Sequence, residues 1–295
     1  MIKLRVLFNL LAIILLCTLP AGAQSADPAL GESCDPRLQK ALETRLGSLH
    51  LNKATARKDL SVVVVDITDI SEPRMAYVNP NEMMYAASLP KIAILLGAFE
   101  KIANGEMTLD DKTLEKLKLM IRNSSNAAAS DILNRVGMDY LAELLQTPRY
   151  RLYDPEKNGG IWVGKEYGKA PAWKRDPLHN LSHGATALQV ARFYYLLETG
   201  QLVSPELSKL MKSILADPAH EHKFVKGLKG RQGDFRIYRK SGTWGPYHSD
   251  SAIVEHHGRR YIAVALAKST QGEKWLQKLI AALDDIICPL EVHSN

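Results

Sequence analysis

The segment that most constrains the fold begins at Ser88-Leu89-Pro90-Lys91 and runs on through Ile92-Ala93-Ile94-Leu95-Leu96-Gly97-Ala98-Phe99. From Ile92 to Phe99 it is apolar nearly all round, and a helix without a polar face is buried at the centre of a domain. Serine favours the N-cap, and proline is tolerated in a first helical turn, so the helix is expected to open at Ser88. Three residues apart, the Ser88 hydroxyl and the Lys91 amine would share one face at the helix mouth. That pairing suits covalent catalysis: a serine becomes a nucleophile when a base takes its proton. A lysine serves as that base only when burial or a nearby cation depresses its pKa. Alone, the tetrapeptide would serve equally well as a cap with a solvated lysine, so the rest of the chain must decide.

The chain has 295 residues, 46% of them hydrophobic, enough for a large core in one domain or two interleaved ones. Met1 to Ala23 reads as a secretory signal. It has a basic start at Lys3 and Arg5, an apolar stretch from Val6 to Cys17, and small residues at Ala21-Gly22-Ala23. The apolar stretch is short for a membrane span, so an exported protein, periplasmic or secreted, with no stable membrane insertion after cleavage is expected. Cleavage removes Lys3 and Arg5 and no acid, taking the formal charge from +6 to +4. With no basic run interleaved with aromatics, nucleic acid is not an expected partner. Two cysteines survive cleavage: Cys34 just before a helix opened by Asp35-Pro36, and Cys288 just after a helix carrying Trp275, Leu276, Leu279, Ile280, Leu283 and Ile287. In an oxidising compartment, a Cys34–Cys288 bridge stapling the terminal helices is expected.

Leu60 to Ile67 is β-branched and apolar, as in a strand covered on both faces. Arg74 to Val78 returns antiparallel to it. From Ser88 to about His222 the pattern is mostly helical, interrupted by a loop rich in Pro, Gly and charge from Thr147 to Gly184, long enough to suggest function. Phe235 to Arg239, Ser251 to His256 and Tyr261 to Lys268 are strands, the last two joined as a hairpin across His257-Gly258. The expected fold is α/β (α+β): an antiparallel sheet flanked by the terminal helices, with an all-helical domain inserted. The divisions are 1–23 for the signal, 24–86 plus 224–295 for the sheet domain, and 87–223 for the helical domain.

Two more polar signatures occur, Ser124-Ser125-Asn126 between helices and Lys240-Ser241-Gly242-Thr243 at a strand end. In that order, the three pieces resemble the Ser-x-x-Lys, Ser-x-Asn and Lys-Thr/Ser-Gly motifs of the penicillin-recognising serine enzymes, class A β-lactamases and penicillin-binding proteins. The likeness runs from about Leu60 to the last helix and includes His183-Gly184-Ala185-Thr186-Ala187.

The resemblance implies that Ser88 attacks an amide carbonyl to form an acyl-enzyme, with Lys91 as its base or helping to position one. Ser124 would relay a proton to the leaving nitrogen, and Asn126 would hold the substrate's side-chain amide. Lys240, Ser241 and Thr243 would receive a carboxylate beside Gly242, with Lys240 helping to keep Lys91 neutral. The N–H groups of Ser88 and Thr243 would form an oxyanion hole. No cofactor is needed. Nor is a metal, since the histidine pairs His179/His183, His220/His222 and His256/His257 lack the converging ligands of a zinc site. In class A β-lactamases a loop glutamate, followed four residues later by asparagine, releases the acyl group. That pattern is missing between Thr147 and Gly184, where Glu156 and Glu166 are the only candidates. The implied activity is hydrolysis of β-lactam amides with slow deacylation. The alternatives are a cell-wall peptidase or transpeptidase on a D-Ala-D-Ala-like amide, and a penicillin-binding sensor without turnover. A monomer acting on a small β-lactam or a cell-wall peptide is expected.

Overall fold

The computed structural model describes Leu30 and residues 34–169 and 171–289; the expected signal segment, 1–23, lies outside them. The elements are α1 (Pro36–Ser48), α2 (Asn52–Ala56), β1 (Leu60–Asp66), β2 (Arg74–Val78), β3 (Met84–Tyr85), α3 (Lys91–Ala103), α4 (Asp111–Arg122), α5 (Asn126–Val136) and α6 (Met138–Gln146). The long loop then contributes β4 (Tyr153–Asp154), a 3-10 turn (Pro155–Lys157), β5 (Gly159–Gly160), β6 (Trp162–Val163) and β7 (His183–Ala185). After it come α7 (Ala187–Glu198), α8 (Pro205–Leu215), α9 (Phe224–Leu228), β8 (Phe235–Trp244), β9 (Tyr247–His256), β10 (Arg259–Lys268) and α10 (Gly272–Ile287).

An antiparallel five-stranded sheet runs β2-β1-β10-β9-β8, so early and late strands meet where β1 pairs with β10, Val63 opposite Val264. The whole of β1 is buried because both of its faces are covered. Val62 and Val64 join Leu38, Leu42, Leu279 and Leu283 beneath α1 and α10. Val63 and Val65 face the other core, built on α3, α7 and their neighbours. This is the alternation of side chains across a pleated strand. As the apolar run requires, Ile92 to Leu96, Ala98 and Phe99 are fully buried. Gly97 lies where a Cβ would come within 2.7 Å of Val136 and 3.1 Å of Leu141, so its absence lets α3 approach α5 and α6 closely.

Several expectations need correction. The helix does not open at Ser88; α3 starts at Lys91, with Pro90 in the capping position and no side-chain cap. Ser88 sits in a preceding turn closed by Leu89 N to Ala86 O (3.1 Å) and Lys91 N to Ser88 O (3.3 Å). The strand expected from Phe235 to Arg239 runs on to Trp244 as β8, an edge strand, and the Lys240-Ser241-Gly242-Thr243 motif occupies its end. Cys34 and Cys288 are free thiols, not a disulfide. Cys34 bridges to Met75 on β2, whereas Cys288 Sγ donates to His256 O of β9 at 3.5 Å. Strands β1 and β10 lie between β2 and β9. That spacing is about 14 Å, beyond the reach of a disulfide.

Candidate active site

Site geometry starts with the turn between β3 and α3. Ala87 has φ +51°, a left-handed conformation that is uncommon for a residue bearing a Cβ. It turns the chain so that Ser88 stands half-buried at the mouth of α3. The strand β8 runs directly against this turn. A Cβ on Gly242 would lie 2.2 Å from Ala86 O and 2.7 Å from Ser88 N, so only glycine allows the approach. Ser249, opposite Gly242 on β9, donates from Oγ to Ala86 O at 2.9 Å and fixes the contact.

Lys91 has no exposed surface. Its Nζ donates to Ser124 O at 2.6 Å and to Asn126 Oδ1 at 2.8 Å, with Ser124 Oγ 3.5 Å away. Burial pushes its pKa down to about 7. Ser124 also takes a left-handed backbone, φ +55°, which presents its carbonyl and hydroxyl to the lysines. Lys240 Nζ donates to Ser124 Oγ at 2.9 Å and to Ser241 O at 2.8 Å. Burial, and then the positive charges of Lys91, Arg239 and Lys223, hold Lys240 well below the ordinary lysine range. Ser124 Oγ thus lies between two amines whose protonation is depressed, a composition suited to passing a proton. Ser241 and Gly242 are buried and Thr243 is exposed at the rim, followed by Trp244, 69% exposed.

The long loop brings an unexpected group here. Tyr167 N donates to Ser130 Oγ of α5 at 3.0 Å, and Ser130 Oγ donates back to Tyr167 O at 3.2 Å. The Tyr167 hydroxyl donates to Ala87 O at 3.3 Å, and Lys91 Nζ lies 4.4 Å from the centre of its ring. The His183 ring, pushed down to a pKa of about 4 by burial, packs against the Tyr167 ring with centroids 4.2 Å apart. Glu166, next to Tyr167, is half-buried, and Glu156 is exposed on the 3-10 turn. Among the described residues neither carboxylate is hydrogen-bonded or ion-paired to Lys91 or Ser124.

Two further groups escaped the sequence reading. Lys223 is fully buried and bonds Gly242 and Thr243. No motif marks it, or Tyr167. Away from the cleft, ligand atoms of His256, Asp284 and Cys288 lie within 4.8 Å of one another. This cluster joins a hairpin histidine to Asp284 of α10 and to Cys288 just beyond it, which spacing alone could not connect. Asp284 already accepts from Arg231 Nε at 2.6 Å and Tyr261 hydroxyl at 3.0 Å, and a guanidinium at that carboxylate opposes a cation.

Such an arrangement on this sheet-and-helix framework places the protein among serine hydrolases of the β-lactamase type. The chain belongs to the β-lactamase enzyme family, whose model matches residues 41–288. Solved structures agree in fold. A β-lactamase from Sphaerobacter thermophilus DSM 20745 superposes with a TM-score of 0.65 at 15% identity, covering 83% of this chain and 96% of its own. PBP-A, as a leucine-to-glutamate mutant in an acyl-enzyme complex with penicillin G, gives 0.64 at 18%, covering 84% and 94%. A class A β-lactamase representative from Bacteroides cellulosilyticus DSM 14838 gives 0.63 at 18%, covering 84% and 96%. No curated protein matches significantly by sequence.

Proposed function

We propose that this protein is an exported serine enzyme that opens β-lactam amides through an acyl-enzyme on Ser88 and releases the acyl group slowly. The observation that carries this reading is the chain Lys91–Ser124–Lys240 laid beside the Ser88 turn. In its neutral form Lys91 takes the Ser88 proton, directly or through an intervening group. Ser124 passes a proton to the leaving nitrogen, and Lys240 supports that transfer. The N–H groups of Ser88 and Thr243 hold the developing oxyanion. Asn126 meets the substrate's side-chain amide, and Lys240, Ser241 and Thr243 meet its carboxylate. The PBP-A complex with penicillin G, sharing this fold, supports the substrate class.

Tyr167 favours a second reading. The described loop side chain over Lys91 is a phenol ring rather than a carboxylate, which argues for acylation that outpaces hydrolysis. That balance fits a cell-wall peptidase or transpeptidase, or a penicillin-binding sensor, as well as a slow β-lactamase. A chromogenic cephalosporin separates them. Steady turnover supports the hydrolase, and a burst of one equivalent supports the others. D-alanine release from a cell-wall peptide then separates peptidase from sensor, while absence of any burst or turnover contradicts all three.

A further inference from the structure

The residue preceding α9 is a buried cation of the cleft to which the roles above assign no task. Lys223 Nζ donates to Gly242 O at 2.6 Å, Thr243 Oγ1 at 2.7 Å and Ser249 O at 3.2 Å. An ammonium has three protons, and here each meets an acceptor. Among the described residues no carboxylate bonds it. Asp250, whose charge it feels, is held on both oxygens by Arg239 at 2.8 Å. The other charged or titratable groups around it are Glu273, His222, His248 and Lys240. Burial lowers Lys223 only to about 8, which leaves it mostly charged at neutral pH.

The backbone gives a second, independent observation. Lys223 has φ +51° and ψ −116°, a conformation that favours glycine and strains a residue with a Cβ. Such strain persists where the surroundings fix it and clusters at functional sites. Here Phe224 N, the next amide, donates to Asp250 Oδ2 at 3.0 Å and locks the turn.

The acceptor matters most. Gly242 C=O and Thr243 N–H belong to one peptide unit, and in a trans peptide they point in opposite directions. An ammonium on the oxygen therefore leaves the N–H aimed away from it. The cation draws electron density through the amide towards oxygen, which makes the N–H a stronger donor. We propose that Lys223 is a positioning residue for the oxyanion hole: held on Gly242 O, it polarises the Gly242–Thr243 peptide and fixes Thr243 N–H as a donor to the substrate's carbonyl oxygen. This rests on the reading that Ser88 N and Thr243 N form that hole.

The test is infrared difference spectroscopy of the penicillin acyl-enzyme together with single-turnover acylation kinetics. Strong donors lower the ester carbonyl stretch. Lys223→Met should raise that frequency and slow acylation on the order of tenfold, with the non-covalent dissociation constant unchanged. Lys223→Arg should restore both. If the methionine variant does not fold, Lys223→Gln is measured the same way, with a smaller upward shift expected. An unshifted band in a folded neutral variant overturns the proposal. So does a loss confined to the dissociation constant, which would make Lys223 a contact for the substrate's carboxylate. If the wild type forms no acyl-enzyme, the underlying reading fails and the inference with it; a wild-type acyl-enzyme beside an unshifted variant overturns the inference alone.

Discussion

Lys240 Nζ lies 2.9 Å from Ser124 Oγ, joining an edge strand to an interhelical turn 116 residues earlier in the chain. Neither group is useful to amide chemistry alone. Together they place a hydroxyl with a donor behind it next to the buried amine of Lys91. Ser124→Ala removes the hydroxyl and leaves its backbone carbonyl to Lys91. Acylation by a fluorescent penicillin should slow by about two orders of magnitude, with little change in the urea midpoint. Undiminished acylation would remove Ser124 from the proton path.

Burial of Lys91 has a consequence for pH. Its folded pKa, about 7, lies below the value of 10.5 for a free lysine. If the neutral amine is the base, acylation rises with pH through about 7 and levels off above it. Stability follows the same sign. Between pH 7 and 9 the unfolded chain holds a proton that the folded chain has released, so unfolding free energy increases with pH. Below that window both states are protonated, and the cost of the buried charge is fully present. Urea titrations at pH 7 and 9 should show the rise, and Lys91→Met should reduce it. An equal rise in the variant would contradict the assignment.

Gly242 has no room for a methyl group, because its Cβ position lies 2.2 Å from Ala86 O and 2.7 Å from Ser88 N. Both are backbone atoms on either side of the Ala87 turn. Gly242→Ala should therefore push β8 away from Ser88, lose at least about 90% of acylation and cost about 1–3 kcal/mol of stability. Denaturant melts alongside penicillin labelling would show both effects.

Much of this arrangement was legible in the sequence, for reasons that can be located. The helix Lys91–Ala103 announced itself because no polar residue interrupts its apolar run until Glu100. The turn at His257-Gly258 was legible from strand patterns on either side. The strand over Phe235 to Arg239 was read too short because Lys and Gly are poor strand formers; pairing with β9 carries it on to Trp244, with the motif at 240–243 at its end. The start of α3 was misplaced because Ser-x-Pro looks like a cap, whereas the left-handed Ala87 adds a separate turn. Tyr167 and Lys223 carry no periodicity or spacing signal. Their roles arise when the long loop and the segment before α9 fold back onto residues far away in sequence.

The cysteines offer a direct chemical check on the fold. Cys34 is exposed, whereas Cys288 is buried, with its thiol pushed up to about 12 by burial and then by Asp284. Unreduced protein cleaved after the expected signal, and so without Cys17, should yield two thiols in denaturant. In the native state Cys34 should react and Cys288 should not, because the thiolate is the reactive form. A count of zero thiols in denaturant would restore the disulfide.

The central claim is that Ser88 is the acylated atom's owner, and intact mass spectrometry after incubation with penicillin G tests it most directly. The expected result is a mass increase of one intact penicillin, mapped by peptide digestion to the segment containing Ser88 and absent from Ser88→Ala. An adduct that persists in Ser88→Ala, or one mapped to another residue, would contradict the account.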